Sequence, residues 1–162
     1  MKIVFFCYGG THASPVAAAI YLGQLPADRP PKEQLQALTL FDRESPREFG
    51  RLIPVGTADN GDEVFIIGCR RYPQIVLRAL QGFATLLGQD CREYHFVDVR
   101  PCINWLMRIG GYASRSLGLV QLGRPVVTYG TWLAYPRIAA LVERTRSQVE
   151  RARAGRGEGG QP

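Results

Sequence analysis

Lysine is nearly absent from this chain: of its 20 basic residues only Lys2 and Lys32 are lysine, so arginine carries the positive charge. Imidazole is equally scarce, with His12 and His95 alone. The four cysteines, Cys7, Cys69, Cys91 and Cys102, show no Cys-x-x-Cys pairing. A structural zinc site therefore has too few ligands at workable spacing, and no metal is expected. No apolar run approaches the ~18 residues that a membrane-spanning helix requires. The opening stretch from Lys2 to Phe6 is too short for a signal-peptide core and lacks a small-residue cleavage site. The expectation is a cytoplasmic protein with reduced cysteines and no membrane partner.

What is present fits one domain. The 162 residues are 46% apolar and 21% charged, the balance of a soluble globular protein with one core. The formal charge of +6 is modest. Basic residues are scattered without aromatic interleaving, so nucleic acid is not favoured as a partner, although arginine leaves anionic ligands, RNA included, open.

Period and punctuation predict alternating elements. Lys2 to Phe6 reads as a buried strand running into Gly9 Gly10, followed by a helix capped by Ser14 with Pro15 in its first position and stopped at Gly23. Residues 25–50, rich in proline, read as a surface excursion with a short helix from Lys32 to Leu38 and a solvated Asp42 Arg43 Glu44 cluster. Strands are expected over 51–57, at the edge because of Pro54, and over 63–68, joined by an Asn60 Gly61 turn. A helix over 73–87, a strand over 93–99, a helix over 104–117, a strand over 125–129 and a last helix from Thr131 to about Arg151 complete the order. The sum is a three-layer α/β domain over residues 1–151, with a mostly parallel sheet of about five strands, one edge hairpin and helices on both faces. Residues 152–162 are expected to be a disordered glycine and arginine tail.

The loop Cys7 Tyr8 Gly9 Gly10 Thr11 His12 Ala13 Ser14 carries the chemistry. Two glycines let backbone amides converge, and the helix start that follows adds its positive dipole end, which together make an anion cradle. Thr11 and Ser14 bring hydroxyls. His12 is a candidate acid or base, and Cys7 at the strand end is a candidate nucleophile. The plain alternative is a glycine turn with a buried cysteine. A second segment adds Arg108, Gly110, Gly111, Ser114 and Arg115; Arg108 and Arg115, seven apart, share a helix face and could hold two oxygens of a phosphate. Asp98 is read as a local partner of Arg100, and Trp105 and Trp132 as lids over helix starts.

The run from Ile3 to Ala17 resembles the phosphate loop of low-molecular-weight tyrosine phosphatases, in which a cysteine opens the loop and a Ser-Pro pair starts the helix. It departs at Ala13, where that family has its phosphate-clamping arginine, and the chain contains no Asp-Pro pair. The nucleotide P-loop pattern is absent, and neither lysine lies in the loop. A longer resemblance is to the bacterial domain-of-unknown-function family 3189, found mainly in spore-forming Firmicutes. Its cues are Cys7 Tyr8 Gly9 Gly10 with His12 and Ser14, Met107 to Gly111 with Ser114 and Arg115, and Gly123 Arg124 Pro125. That resemblance implies no activity and no known cofactor. The sequence thus yields three readings: a domain that binds a phosphorylated small molecule or nucleotide and could turn it over, a regulatory or scaffold protein with a degenerate phosphate loop, and an RNA-associated factor.

Overall fold

The apolar run at the start of the chain is explained by its place in the middle of a sheet. Strand β1 (Lys2–Cys7) pairs in parallel with β3 (Glu63–Gly68) on one side and β4 (Tyr94–Asp98) on the other, with Phe5 level with Ile66 and Val97. The computed structural model describes residues 1–42, 49–115 and 119–157. Strand β2 (Ile53–Thr57) lies antiparallel on the outside of β3, giving the order β2-β3-β1-β4. Pro54 thus sits in an edge strand, beside a register slip at Pro54/Gly56. In the connection, the Asn60 side chain accepts the Asp62 N–H at 3.0 Å and Gly61 takes φ 80°.

Alternation along the strands divides the core into two. Ile3, Phe5 and Cys7 of β1 pack with Val64, Ile66 and Val97 against α1 (Ala13–Tyr21), α4 (Trp105–Arg115) and α5 (Val120–Gly157). Val4 and Phe6 turn the other way, with Ile67 and Cys69, toward Val76, Leu77 and Leu80 of α3 (Pro73–Leu86). The short α2 (Lys32–Ala37) seats its buried Leu35 in the first cluster. Helices therefore cover both faces.

Several expectations need correction. The sheet has four strands rather than five, because residues 125–129 lie inside α5. The β-branched run Val126 Val127 Thr128 gives a strand signal locally, yet packing overrides it. Val127 is buried against Gly110 of α4, where a side chain on that glycine would meet the Val127 nitrogen at 2.5 Å. Thr128 satisfies its hydroxyl on the Arg124 carbonyl one helical turn back. Consequently Thr131 and Trp132 are mid-helix, and Trp132 Nε1 donates to the Pro30 carbonyl at 2.9 Å. Helix α5 also continues to Gly157, into the segment read as tail, and Arg153 ion-pairs with buried Asp62. Another correction concerns Ser14. Helix α1 begins at Ala13 with His12 in the capping position, and Ser14 turns its hydroxyl to Cys7 instead.

The two crossover connections place the loops. β1 leads to α1 on one face and β3 leads to α3 on the other, so their loops part at the carboxyl ends of adjacent strands, the place where open α/β sheets bind ligands.

Candidate functional site

The loop between β1 and α1 is tied down at its base and open in its amides. The Cys7 and Tyr8 carbonyls accept the N–H groups of Cys69 and Arg70 at 3.0 and 2.9 Å, which fastens the loop to the end of β3. Gly10 takes φ 78°, a conformation that side-chain-bearing residues rarely adopt, and its N–H donates to Cys7 Sγ at 3.1 Å. Ser14 Oγ stands 3.2 Å from the same sulfur. Cys7, buried at 3% exposure, is thus the point on which the loop closes.

From Tyr8 to Ser14, only the Gly10 N–H finds an acceptor among the described residues. The first amides of any helix lack intrahelical partners, but water usually serves them. Here Thr11, Ala13 and Ser14 are 6%, 1% and 0% exposed. Buried donors without acceptors are rare in proteins.

His12 connects the loop to the rest of the site. Its Nδ1 lies 3.2 Å from Thr11 Oγ1, and its Nε2 lies 3.0 Å from Oδ1 of Asp42. Asp42 is a buried carboxylate with φ 54°, whose backbone N–H donates to the Thr11 carbonyl and whose oxygens accept the Ser114 hydroxyl at 2.9 and 3.2 Å. Phe41, fully buried, meets the His12 ring edge-on with centroids 5.5 Å apart. The expected solvated role of Asp42 is therefore wrong: the excursion through α2 folds back and delivers this carboxylate beneath the histidine. Arg43 and Glu44 lie outside the described residues.

Of the second predicted segment, Gly111 and Ser114 reach the site. A side chain on Gly111 would touch the His12 ring at 3.3 Å, so the glycine lets α4 lie on the histidine. Gly110 faces α5 instead. Arg108 is exposed, and the Arg115 side chain lies outside the described residues. Asn104 caps α4 by accepting the Met107 N–H at 2.9 Å, while its amide donates to the Gly130 carbonyl of α5.

The basic residues near the strand ends are committed elsewhere. Arg100 holds Asp98 through its Nε and Nη2, the closest contact being 2.6 Å, and Asp98 raises the guanidinium above its ordinary value. Arg70, at φ 48°, stacks over the Phe49 ring at 3.9 Å. Burial pushes the Cys69 thiol up to about 11, and neighbouring Cys7 adds to it. One arginine that the sequence offers only as a cue to the family differs: Nε of Arg124 on α5 is buried with no hydrogen-bond partner, one residue beyond Gly123, which abuts the Ser114 backbone. No group of three or more His, Cys, Asp or Glu among the described residues could hold a metal ion, and no helix among them is long and apolar enough to cross a membrane.

A family model described as a protein of unknown function, DUF3189, matches residues 2–147. No curated protein and no solved structure matches the chain.

Proposed function

Because the chain belongs to the DUF3189 family of unknown function, its chemistry is read from its own loop, and we propose that it is an anion-binding α/β domain that receives the phosphate group of a small molecule or nucleotide between Tyr8 and Ser14. The observation that carries this reading is the set of amides without acceptors in buried residues at the start of α1. Phosphate offers several strong acceptor oxygens, and a helix start adds field of the right sign. Thr11 lends a hydroxyl, and His12 adds positive charge when protonated. The absence of a loop lysine or arginine favours binding over fast turnover.

A second reading, nucleophilic catalysis at Cys7, is supported by the Gly10 N–H and Ser14 hydroxyl both addressing its sulfur. In that chemistry the Cys7 thiolate attacks phosphorus as the ester P–O bond breaks, the alcohol leaves with a proton from protonated His12 once its Nδ1 exchanges Thr11 for the substrate, and water then cleaves the S–P bond to give phosphate and the thiolate, its proton returning to His12.

Thermal unfolding with inorganic phosphate and with nucleotides tests the first reading on the wild type and on Gly9→Asp. The substitution puts a carboxylate in the loop where a side chain meets only Thr11 Oγ1, at 3.2 Å. A ligand at ~100 times its dissociation constant adds about 2.7 kcal/mol of apparent stability. The wild type should gain this and the variant should not; equal gains would remove the loop from the reading. Cys7→Ser should keep the phosphate stabilisation and abolish hydrolysis of p-nitrophenyl phosphate if the second reading holds.

A further inference from the structure

Helix α5 carries an apolar seam that its own chain leaves largely open, with Lys32 Nζ over the Tyr129 ring at 4.6 Å. Leu119, just ahead of the helix, and Leu122, Val126, Tyr129 and Leu133 are 49%, 69%, 36%, 44% and 38% exposed, and Pro136 is exposed beyond them. Their spacing alternates three and four, the period with which one helix packs its side chains into another. On the inner side, Gly110, Gly123 and Gly130 bring α4 and α5 into close backbone contact, which backs the seam.

The seam also reads the same in both directions. Its intervals are symmetric about the midpoint between Val126 and Tyr129, which is the condition an isologous two-fold interface imposes. An antiparallel second copy would set Leu122 opposite Leu133, Val126 opposite Tyr129 and Leu119 opposite Pro136, with every pair apolar. Arg137, the charged residue at the end of the seam, would then stand roughly 28 Å from its counterpart at 1.5 Å per helical residue, well beyond the ~8 Å screening length.

Area points the same way. The five exposed side chains leave on the order of 500 Å² of mostly apolar surface in water, toward the upper end of the largest patch an ordinary monomer carries, and such patches are often functional. With a polar margin this comes near the ~800 Å² per partner of a standard interface. A stripe one side chain wide fits a helix better than a membrane surface, which wets a broader face. We propose that a second copy of this chain docks antiparallel on α5, joining two α4–α5 hairpins into a four-helix arrangement with two loop sites per dimer.

Sedimentation analysis of the full chain tests this at tens of micromolar. The wild type should show twice the chain mass, and Leu122→Glu and Leu133→Glu should each halve it with unchanged far-UV circular dichroism. Ile75→Glu on α3, at a residue 66% exposed, should stay dimeric. In a Cys91→Ser background, mixing Leu122→Cys with Leu133→Cys should give a disulfide-linked pair that neither forms alone. A monomeric wild type, a dimer that survives both glutamates, or loss of the dimer in Ile75→Glu alone would overturn the proposal. A monomer that instead sediments with anionic phospholipid vesicles would give the seam to a membrane and overturn it equally.

Discussion

His12 and Asp42 are 30 positions apart in the chain and 3.0 Å apart in the fold, with the carboxylate fully buried and the imidazole nearly so. The pair joins the loop, the excursion through α2, and α4, because Asp42 also accepts the Ser114 hydroxyl. Replacing Asp42 by Ala leaves the histidine and the serine without this acceptor. The expected cost is about 3 kcal/mol of stability, the range for removing one member of a buried polar set. Asp42→Asn retains acceptor capacity and tolerates the positive φ, so it should cost about half as much. Urea unfolding of both variants checks the order; equal stability of wild type and Asp42→Ala would show that the contact does not hold the loop.

Asp62 governs the acid side. It accepts the Tyr21 hydroxyl at 2.6 Å, the chain's first amine at 2.7 Å, and Arg153. Burial by itself would raise its carboxyl, but these donors and charges together hold it below the ordinary carboxylate range. A depressed folded value means stability that is present above the unfolded value and is lost as pH falls through the folded one. The wild type should therefore lose stability below about pH 4, and Asp62→Asn should lose less over the same interval while being less stable at neutral pH. Denaturation midpoints from pH 2 to 7 measure this.

Cys69 acts at the other end of the scale. Its thiol keeps the proton up to about 11 in the fold, against an ordinary value of 9.0. A raised value in the folded state gives stability that is full below the unfolded value and fades as pH climbs through the folded one. Cys69→Ala should flatten that part of the stability loss between pH 9 and 11, measured by chemical denaturation in buffered steps.

Gly123 controls how closely α4 approaches. A side chain there would meet the Ser114 nitrogen at 2.4 Å and the Gly110 carbonyl at 2.7 Å. Gly123→Ala should destabilise by about 2 kcal/mol or more through forced backbone shifts, and the shift of Ser114 should weaken phosphate binding as well. Unfolding and ligand titration of the same variant report the two effects.

Arg124 is the converse case, a guanidinium with a buried Nε lacking an acceptor. Arg124→Met removes an unsatisfied donor, so stability without ligand should hold or rise by up to about 1 kcal/mol. A loss above that size would mean that the arginine has a partner in the free protein.

Local signals foretold the part of the fold and site that lies within short sequence windows. The apolar run before Gly9 Gly10 gave β1 and its loop, Pro54 gave the edge strand, and Asp98 two residues before Arg100 gave their ion pair. Asp42 was not legible, because what buries it is the return of the excursion that begins at residue 25, and nothing in its neighbours marks it. Residues 125–129 were misread for a related reason: β-branched side chains carry a strand signal, and the glycines of α4 and α5 that draw this segment into a helix act across the hairpin. Gly111 and Ser114 were picked from the sequence, but their route to the loop, through His12 and Asp42, is tertiary.

Titration of ¹⁵N-labelled protein with inorganic phosphate observes the loop amides themselves. Saturable shifts concentrated on Tyr8, Gly9, Thr11, His12, Ala13 and Ser14, and lost in Gly9→Asp, are the expected result. Shifts confined to exposed arginines, or no saturation at these amides, would contradict anion binding at the end of β1.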